Sequence, residues 1–405
     1  MVAHLPALVL SFAILSGQST GIPDLERAAA ARPTDVQAQR RLAAAYESAG
    51  RRLDAAAAWR RVTDLAPNLP AAWYALGHAY NAVAVEATAS FEDGPENAPW
   101  RQLLAADGLF RTGHFTDAFA IYRSVLDRLP SMITIHDAVA RIYERTGHPQ
   151  WAARERSRGV LSPAACKTRT ALCAYRSGQY ATALSAAFAS SDAESRYWRA
   201  RAASELAQAA FHHLESLPDS PERRAVRATV ARDEDRHQDA VTELAEAVTL
   251  APNNPVLTYE LAAACYAARD FDRALRTLTP LLQARPDDVR AARLAGYALL
   301  QLRRPEEALP LLQRAAAAAP GDPAVQAALG RAHLQSGEFA AAIPLLEPII
   351  GTDDDGSLHA QLARAYSGTG DDKKAAALLE RSQELRRMFE ERSTAAARRG
   401  IEPPK

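Results

Sequence analysis

Residues 286–320 read PDDVRAARLAGYALLQLRRPEEALPLLQRAAAAAP, and this stretch decides the fold. Pro286 and Pro320 bound it, 34 residues apart, and Pro252 lies another 34 upstream. Between the prolines the apolar residues recur three or four apart, the spacing of one helix face. The interval holds two such stretches, each of about 12–15 residues. Small residues, Gly296 in the first and Ala308 in the second, mark where the two helices cross. A larger side chain at either place would push the helices apart. One pair cannot bury its own apolar face, whereas stacked pairs bury a continuous one.

The register extends outward from this unit. Pro33 and Pro67 are again 34 apart, and between them stand Leu42, Ala43, Tyr46, Gly50, Ala55 and Trp59. Trp73, Leu76, Gly77 and Tyr80 begin the next unit. Later come Leu329, Gly330, Gly337, Ala342 and Leu346, then Leu362, Ala363, Tyr366, Gly370, Ala375 and Leu379. Gly50, Gly113, Gly147, Gly178 and Gly337 are expected to close first helices, where φ > 0 costs glycine little. Alanine runs such as Ala55–Ala58 and Ala315–Ala319 favour helix throughout.

A large residue, Leu-Gly or Leu-Ala, Tyr, a turn, Ala, an aromatic or Leu, then Pro: this succession resembles the tetratricopeptide repeat family, over nearly the whole chain after the first residues. The resemblance implies an all-α, right-handed solenoid of stacked antiparallel helix pairs with about 9–10 repeats. The expected organisation is a signal peptide at 1–21 and an N-terminal array at 22–165. An irregular, long-helix segment at 166–253 follows, then a regular array at 254–393 that ends in a capping helix, and a tail at 394–405.

Two places break the register. After Tyr80 no glycine turn precedes Pro95 and Pro99, and after Trp198 none precedes Pro218 and Pro221. The similar spacing that follows each break suggests a duplicated module whose copies both carry a lengthened, turnless hairpin. The segment Cys166–Ser191 reads as a weak seam.

Lys+Arg and Asp+Glu both number 48, so no basic excess supports nucleic-acid binding. Leu5–Leu15 is an apolar run of signal-peptide length, too short to cross a bilayer, although Met1–His4 carries no Lys or Arg. Export to a periplasm or envelope is the expectation, with the cytoplasm as the alternative. Cys166 and Cys173 are seven apart. On one straight helix their Cα atoms would stand ~10 Å apart, too far for a disulfide. A bridge needs Cys166 to precede the helix and fold back, which Pro163 permits; both outcomes stay open. Cys265 sits on an apolar face and reads as core.

No catalytic motif is present, so neither an enzyme nor a cofactor or metal is expected. Asp353–Gly356 resembles a calcium loop only superficially. Gly351 occupies its first position and Leu362 its twelfth, where ligands are needed. In the resembled family the first helix of each pair lines the concave surface and contacts partners. Carried over position by position, this implies partner-binding residues Tyr74, His78, Tyr259, Tyr266, Arg293, Tyr297, Arg331 and Arg364. Asp107 and Phe110 occupy the same kind of position. Arginine grips carboxylates bidentately and tyrosine offers rigid amphipathic contact, so an extended acidic and apolar peptide is the expected ligand. The implied function is a non-enzymatic protein–protein interaction scaffold. The alternatives are an envelope assembly or secretion factor binding a polymer or lipid-linked substrate, and a self-assembling structural protein.

Overall fold

The computed structural model describes residues 21–91, 94, 96–129, 132–397, 401 and 403. The expected signal peptide, apart from Gly21, and most of the expected tail lie outside them. Among the described residues every regular element is a helix. The chain forms two compact units, Met1–Val226 with Arg399–Lys405, and Arg227–Arg398.

The first unit contains α1 (Ile22–Ala31), α2 (Val36–Ser48), α3 (Arg52–Leu65), α4 (Pro70–Ala89), α5 (Ala98–Arg111), α6 (Phe115–Arg128), α7 (Ile133–Arg145), α8 (Pro149–Arg158), α9 (Pro163–Thr168), α10 (Thr170–Arg176), α11 (Tyr180–Ala187) and α12 (Ala193–Ser216). Helix α13 (Pro221–Asp233) contains the boundary. The second unit continues with α14 (His237–Leu250), α15 (Pro255–Ala267), α16 (Phe271–Ala284), α17 (Val289–Gln301), α18 (Pro305–Ala318), α19 (Pro323–Gln335) and α20 (Phe339–Leu346). It closes with a 3-10 turn (Glu347–Thr352), α21 (Ser357–Gly368) and α22 (Asp372–Ala397).

The second unit is a solenoid of regular hairpins. Three first helices, α15, α17 and α19, are started by a side chain placed just after the repeat proline. Asn254, Asp288 and Asp322, 34 apart, accept from backbone N–H groups two or three residues on at 2.9–3.4 Å. The hairpin turn falls at Asp235, Arg269, Arg303 and Gly337, again 34 apart, with φ between 57° and 77°. Glycine fills this left-handed position at only one of the four. At the crossing, a Cβ on Gly296 would meet Leu312 at 2.7 Å, and one on Gly330 would meet Leu346 at 2.6 Å. The missing side chains are notches that receive these leucines, both fully buried.

The first unit solves the same crossing differently. Hairpins α2–α3, α5–α6, α7–α8 and α10–α11 are local. Helix α4 instead pairs antiparallel with α12: Trp73 meets His213 with ring centroids 4.0 Å apart, and Arg196 donates to the Ser90 carbonyl at 3.2 Å. The Gly77 notch is filled by the Phe211 ring. This corrects the expectation of two separate turnless hairpins. The two long helices are the halves of one pair, and α5–α11 are inserted between them. Helices α9–α11, in the segment expected to be a seam, lie within this unit. Cys166 and Cys173 form a disulfide; the chain breaks between α9 and α10 at Arg169, which brings their Cα atoms to 5.6 Å.

A buried polar node ties the insert to α12. Tyr122 of α6 and Tyr197 of α12 donate to the two Asp107 oxygens at 2.5 and 2.9 Å. Arg201 approaches Asp107 at 3.1 Å and donates to the Tyr175 hydroxyl at 2.6 Å, which in turn donates to Glu205. Burial, reinforced by the Asp107 charge, pushes both phenols well above their ordinary range. Burial disfavours the Arg201 charge, but Asp107 and the phenols outweigh it and keep the guanidinium protonated. Asp107, expected on an open face, is therefore buried within the unit and held by three side chains.

The acidic loop before α21 is a helix start. Asp353 accepts from the backbone N–H groups of Gly356 and His359 at 3.0 and 2.9 Å, and pairs with the His359 ring at 2.7 Å. A Cβ on Gly356 would collide with the Ser382 carbonyl.

Candidate functional site

Helices α15, α17, α19 and α21 are the first helices of successive hairpins in the second unit, and they carry six of the eight residues expected to bind a partner. Their side chains divide into two sets. Tyr259 lies under the Arg290 guanidinium, 4.2 Å from its ring centroid, and Arg290 and Arg232 both pair with Glu260. Arg293 pairs with Asp322 at 3.3 Å, beside half-buried Tyr297, whose phenol is raised by burial. Tyr266 packs on Phe271 and accepts from Gln301 at 3.5 Å. These side chains bind neighbouring repeats to one another.

Arg331 and Arg364 belong to the second set. They line a groove of about 450 Å³ formed on α17, α19 and α21. Leu300 and Leu334 supply its apolar lining, and Gln301, Arg303, Gln335 and Gln361 complete its polar one. Gln335 donates to the Leu300 carbonyl and Arg364 to the Leu334 carbonyl, both at 3.2 Å, so each is fixed by the repeat before it. Three arginines converge here and no carboxylate is among the lining residues. Arg331 Nε, Gln335 Oε1 and Gln361 Oε1 are buried and make no hydrogen bond. These atoms are closed off from solvent, so they are a cost of the repeat packing and not contacts open to a ligand. A lining with three arginines and no carboxylate suits a ligand carboxylate.

Tyr74 and His78 do not join this site. Tyr74 is buried, and the His78 ring packs between Tyr74 and Phe211, with centroids at 4.3 and 5.4 Å. Helix α12 covers the face of α4 on which they were expected to be open. Burial lowers the His78 pKa to about 4. Phe110 lies under the Arg141 guanidinium.

Residue-by-residue reading missed Gln301, Arg303, Gln335 and Gln361. One signal was present: Gln301 and Gln335 occupy the same repeat position, 34 apart. Among the described residues no three His, Cys, Asp or Glu side chains are grouped to hold a metal ion. No described helix is long and apolar enough to cross a membrane.

Two family models, both described as Tetratricopeptide repeat, match residues 259–323 and 299–361. No curated protein matches the sequence. Among solved structures, MamA from residue 41 to the end, from Desulfovibrio magneticus RS-1, is 24% identical. That match covers 42% of this chain and 97% of the other, with a TM-score of 0.39. MamA MSR-1 is also 24% identical, over 43% of this chain and 98% of the other, with a TM-score of 0.37. Both likenesses are partial.

Proposed function

Because the chain is a tetratricopeptide repeat protein, and so an interaction scaffold, we propose that the groove on α17, α19 and α21 receives an extended acidic segment of a partner protein. The observation that carries this reading is the groove's one-sided lining: Arg303, Arg331 and Arg364 with no carboxylate. Arg331 and Arg364 are the contacts for ligand carboxylates, and Leu300 and Leu334, both buried, form the floor beneath them. Arg293 and the tyrosines hold the repeats that frame the groove. The reading involves no catalytic step and no cofactor.

The test is fluorescence anisotropy with a labelled peptide of alternating Glu and Leu, against the same peptide with Gln for Glu. The acidic peptide should bind, weaken as salt rises, and lose affinity at least tenfold with Arg331→Glu and Arg364→Glu together. Arg293→Glu should do less, because Arg293 already has Asp322. Equal binding of the Gln peptide would overturn the proposal.

Export is part of the same reading. The Cys166–Cys173 disulfide supports it, since such bonds persist in oxidising compartments, and the Leu5–Leu15 run supplies the signal. Cell fractionation, with alkylation of unreduced protein, tests it. A cytoplasmic protein in which all three cysteines alkylate would contradict it.

A further inference from the structure

Helices α9 and α10 are separated by one residue, Arg169. The flanking hairpins part at left-handed glycines, Gly147 with φ 83° and Gly178 with φ 73°. Arg169 is different, with φ −115° and ψ 55°, and its side chain does not cap α10. The segment Pro163–Arg176 contains no glycine, and its one proline is at the first position, where a helix tolerates it. Four alanines, Lys167, Arg169 and Leu172 within it favour helix. The break also interrupts the ladder of backbone hydrogen bonds that a continuous helix would keep. Local sequence therefore favours one helix where the chain has two.

The disulfide accounts for the break. Seven positions along one helix span ~10 Å, beyond the reach of a disulfide. The Cys166 and Cys173 Cα atoms are 5.6 Å apart. A continuous helix and this bond exclude each other. The two halves are also held unequally. Leu172 and Ala174 of α10 are buried, whereas none of Ala164–Thr168 in α9 is. Both cysteines are partly exposed, so a small thiol reaches them.

We infer that Cys166–Cys173 is a redox switch: oxidised, it holds α9 folded back on α10, and reduced, it lets the two join as one helix, Pro163–Arg176. The reductant is a dithiol. One of its thiolates attacks a cysteine sulfur, the S–S bond breaks, and the other cysteine leaves as a thiolate that takes a proton. The second thiol of the reductant then displaces the first cysteine, leaving the reductant as a disulfide and both cysteines as thiols. Two electrons and two protons pass to the chain. Ser162, whose hydroxyl already accepts from Ala165 N–H, would start the joined helix. Since α10 is anchored, α9 moves and the connector before it follows. That connector gives up two contacts: Arg176 donating to the Gly159 carbonyl at 2.7 Å, and Leu161 packed on the core around Tyr143. The switch does not involve the acidic-peptide groove.

Hydrogen exchange on the full chain, oxidised and then reduced with dithiothreitol, tests this. After reduction both thiols should alkylate while the far-ultraviolet circular dichroism stays helical. Amides of residues 170–172 should exchange at least tenfold more slowly, and those of residues 159–161 faster. Cys166→Ser with Cys173→Ser should behave as the reduced protein without any reductant. Thr170→Pro separates the two states. Residue 170 is the first of α10 in the oxidised form, where proline fits, but lies inside the joined helix, where it does not. Its oxidised form should match the wild type, and reduction should bring no slowing at 171 and 172. The inference is overturned if residues 170–172 exchange equally fast or faster after reduction. It is overturned equally if the bond resists reduction until the first unit unfolds, or if Thr170→Pro shows the same slowing as the wild type.

Discussion

The hairpin α17–α18 and the pair α4–α12 cross in the same way but draw their partners from different distances along the chain. In the first, the Gly296 notch takes Leu312 from the very next helix. In the second, the Gly77 notch takes Phe211 from beyond seven intervening helices. The chemistry of the crossing is unchanged: a residue without Cβ faces a large apolar side chain. What changes is what must be ordered before the notch is filled. A local pair closes one turn, whereas α4–α12 forms only when α5–α11 are folded so as to return the chain. The first unit therefore needs an additional device, and the Asp107–Arg201 node provides it by fixing α12 to α5, α6 and α10.

The hardest way to break the comparison is to remove Arg201. Arg201→Met leaves the Asp107 carboxylate buried without its cation, a loss of about 3–5 kcal/mol. Hydrogen exchange read helix by helix should show α4, α5 and α12 losing protection while α17–α20 keep theirs. Asp107→Leu and Arg201→Met combined with Tyr122→Phe and Tyr197→Phe should recover much of the loss, because replacing a whole buried network costs far less than leaving its charges or hydroxyls unmet. Equal loss of protection in both units would show that the node is not specific to the long-range pair.

Phe211→Ala and Leu312→Ala empty the two notches. Leu312→Ala removes a fully buried knob, at about 2–5 kcal/mol, whereas Phe211 is only partly buried and its loss should cost less than the roughly 3–5 kcal/mol of a buried phenylalanine. The difference lies in reach. Leu312→Ala should loosen α17, α18 and their immediate neighbours. Phe211→Ala should also expose α5–α11, since the pair that brackets the insert is weakened. Urea midpoints with region-resolved exchange would check this. Confinement of the Phe211→Ala effect to α4 and α12 would mean that the insert is a self-sufficient body.

These distances explain which parts of the fold the sequence makes legible. In the second unit the notch, knob, turn and cap all recur within 34 residues, so a periodic reading finds them. At Tyr80 and Trp198 the reading correctly finds the two breaks and wrongly explains each alone. Nothing local in residues 70–89 says that their partner lies at 193–216. The same limit accounts for Tyr74 and His78, whose repeat position is that of an open face until a distant helix covers it. In the groove, Arg331 and Arg364 are legible because they follow the register. Arg303 stands at a hairpin turn and reads as solvent-facing. Gln361 lines the groove only because the packing of α21 on α19 brings it there.

Acid should distinguish the units next. The folded-state pKa of His78, about 4, lies below the ordinary 6.5 because α12 buries the ring. The unfolded chain therefore takes the proton first. Stability held by neutral His78 is complete above about pH 6.5 and is lost progressively as pH falls toward 4. A shift of this size corresponds to at most roughly 3 kcal/mol, and less for a ring whose edge is partly exposed. Helices α4 and α12 should lose protection over that range in the wild type and lose less in His78→Phe. Identical pH profiles for the two proteins would remove His78 from this account.

The smallest effect concerns the turn that both units share. Arg269 holds φ at 63°, where Gly337 in the matching position holds 77°. A side chain in the left-handed region costs about 1–2 kcal/mol that glycine avoids. Glycine loses some of this advantage through its greater freedom in the unfolded chain. Arg269→Gly should therefore stabilise the second unit by somewhat under 1 kcal/mol, and Gly337→Arg should destabilise it by a similar amount. Arg269 suits the test better than Arg303, since it is exposed and takes no part in the groove. Opposite shifts of the urea midpoint would show that the 34-residue register, and not the glycine, sets the turn, and that non-glycine residues occupy it at a small cost. A destabilised Arg269→Gly would mean that the arginine side chain itself supports the hairpin, and the regular half would then depend on more than its periodicity.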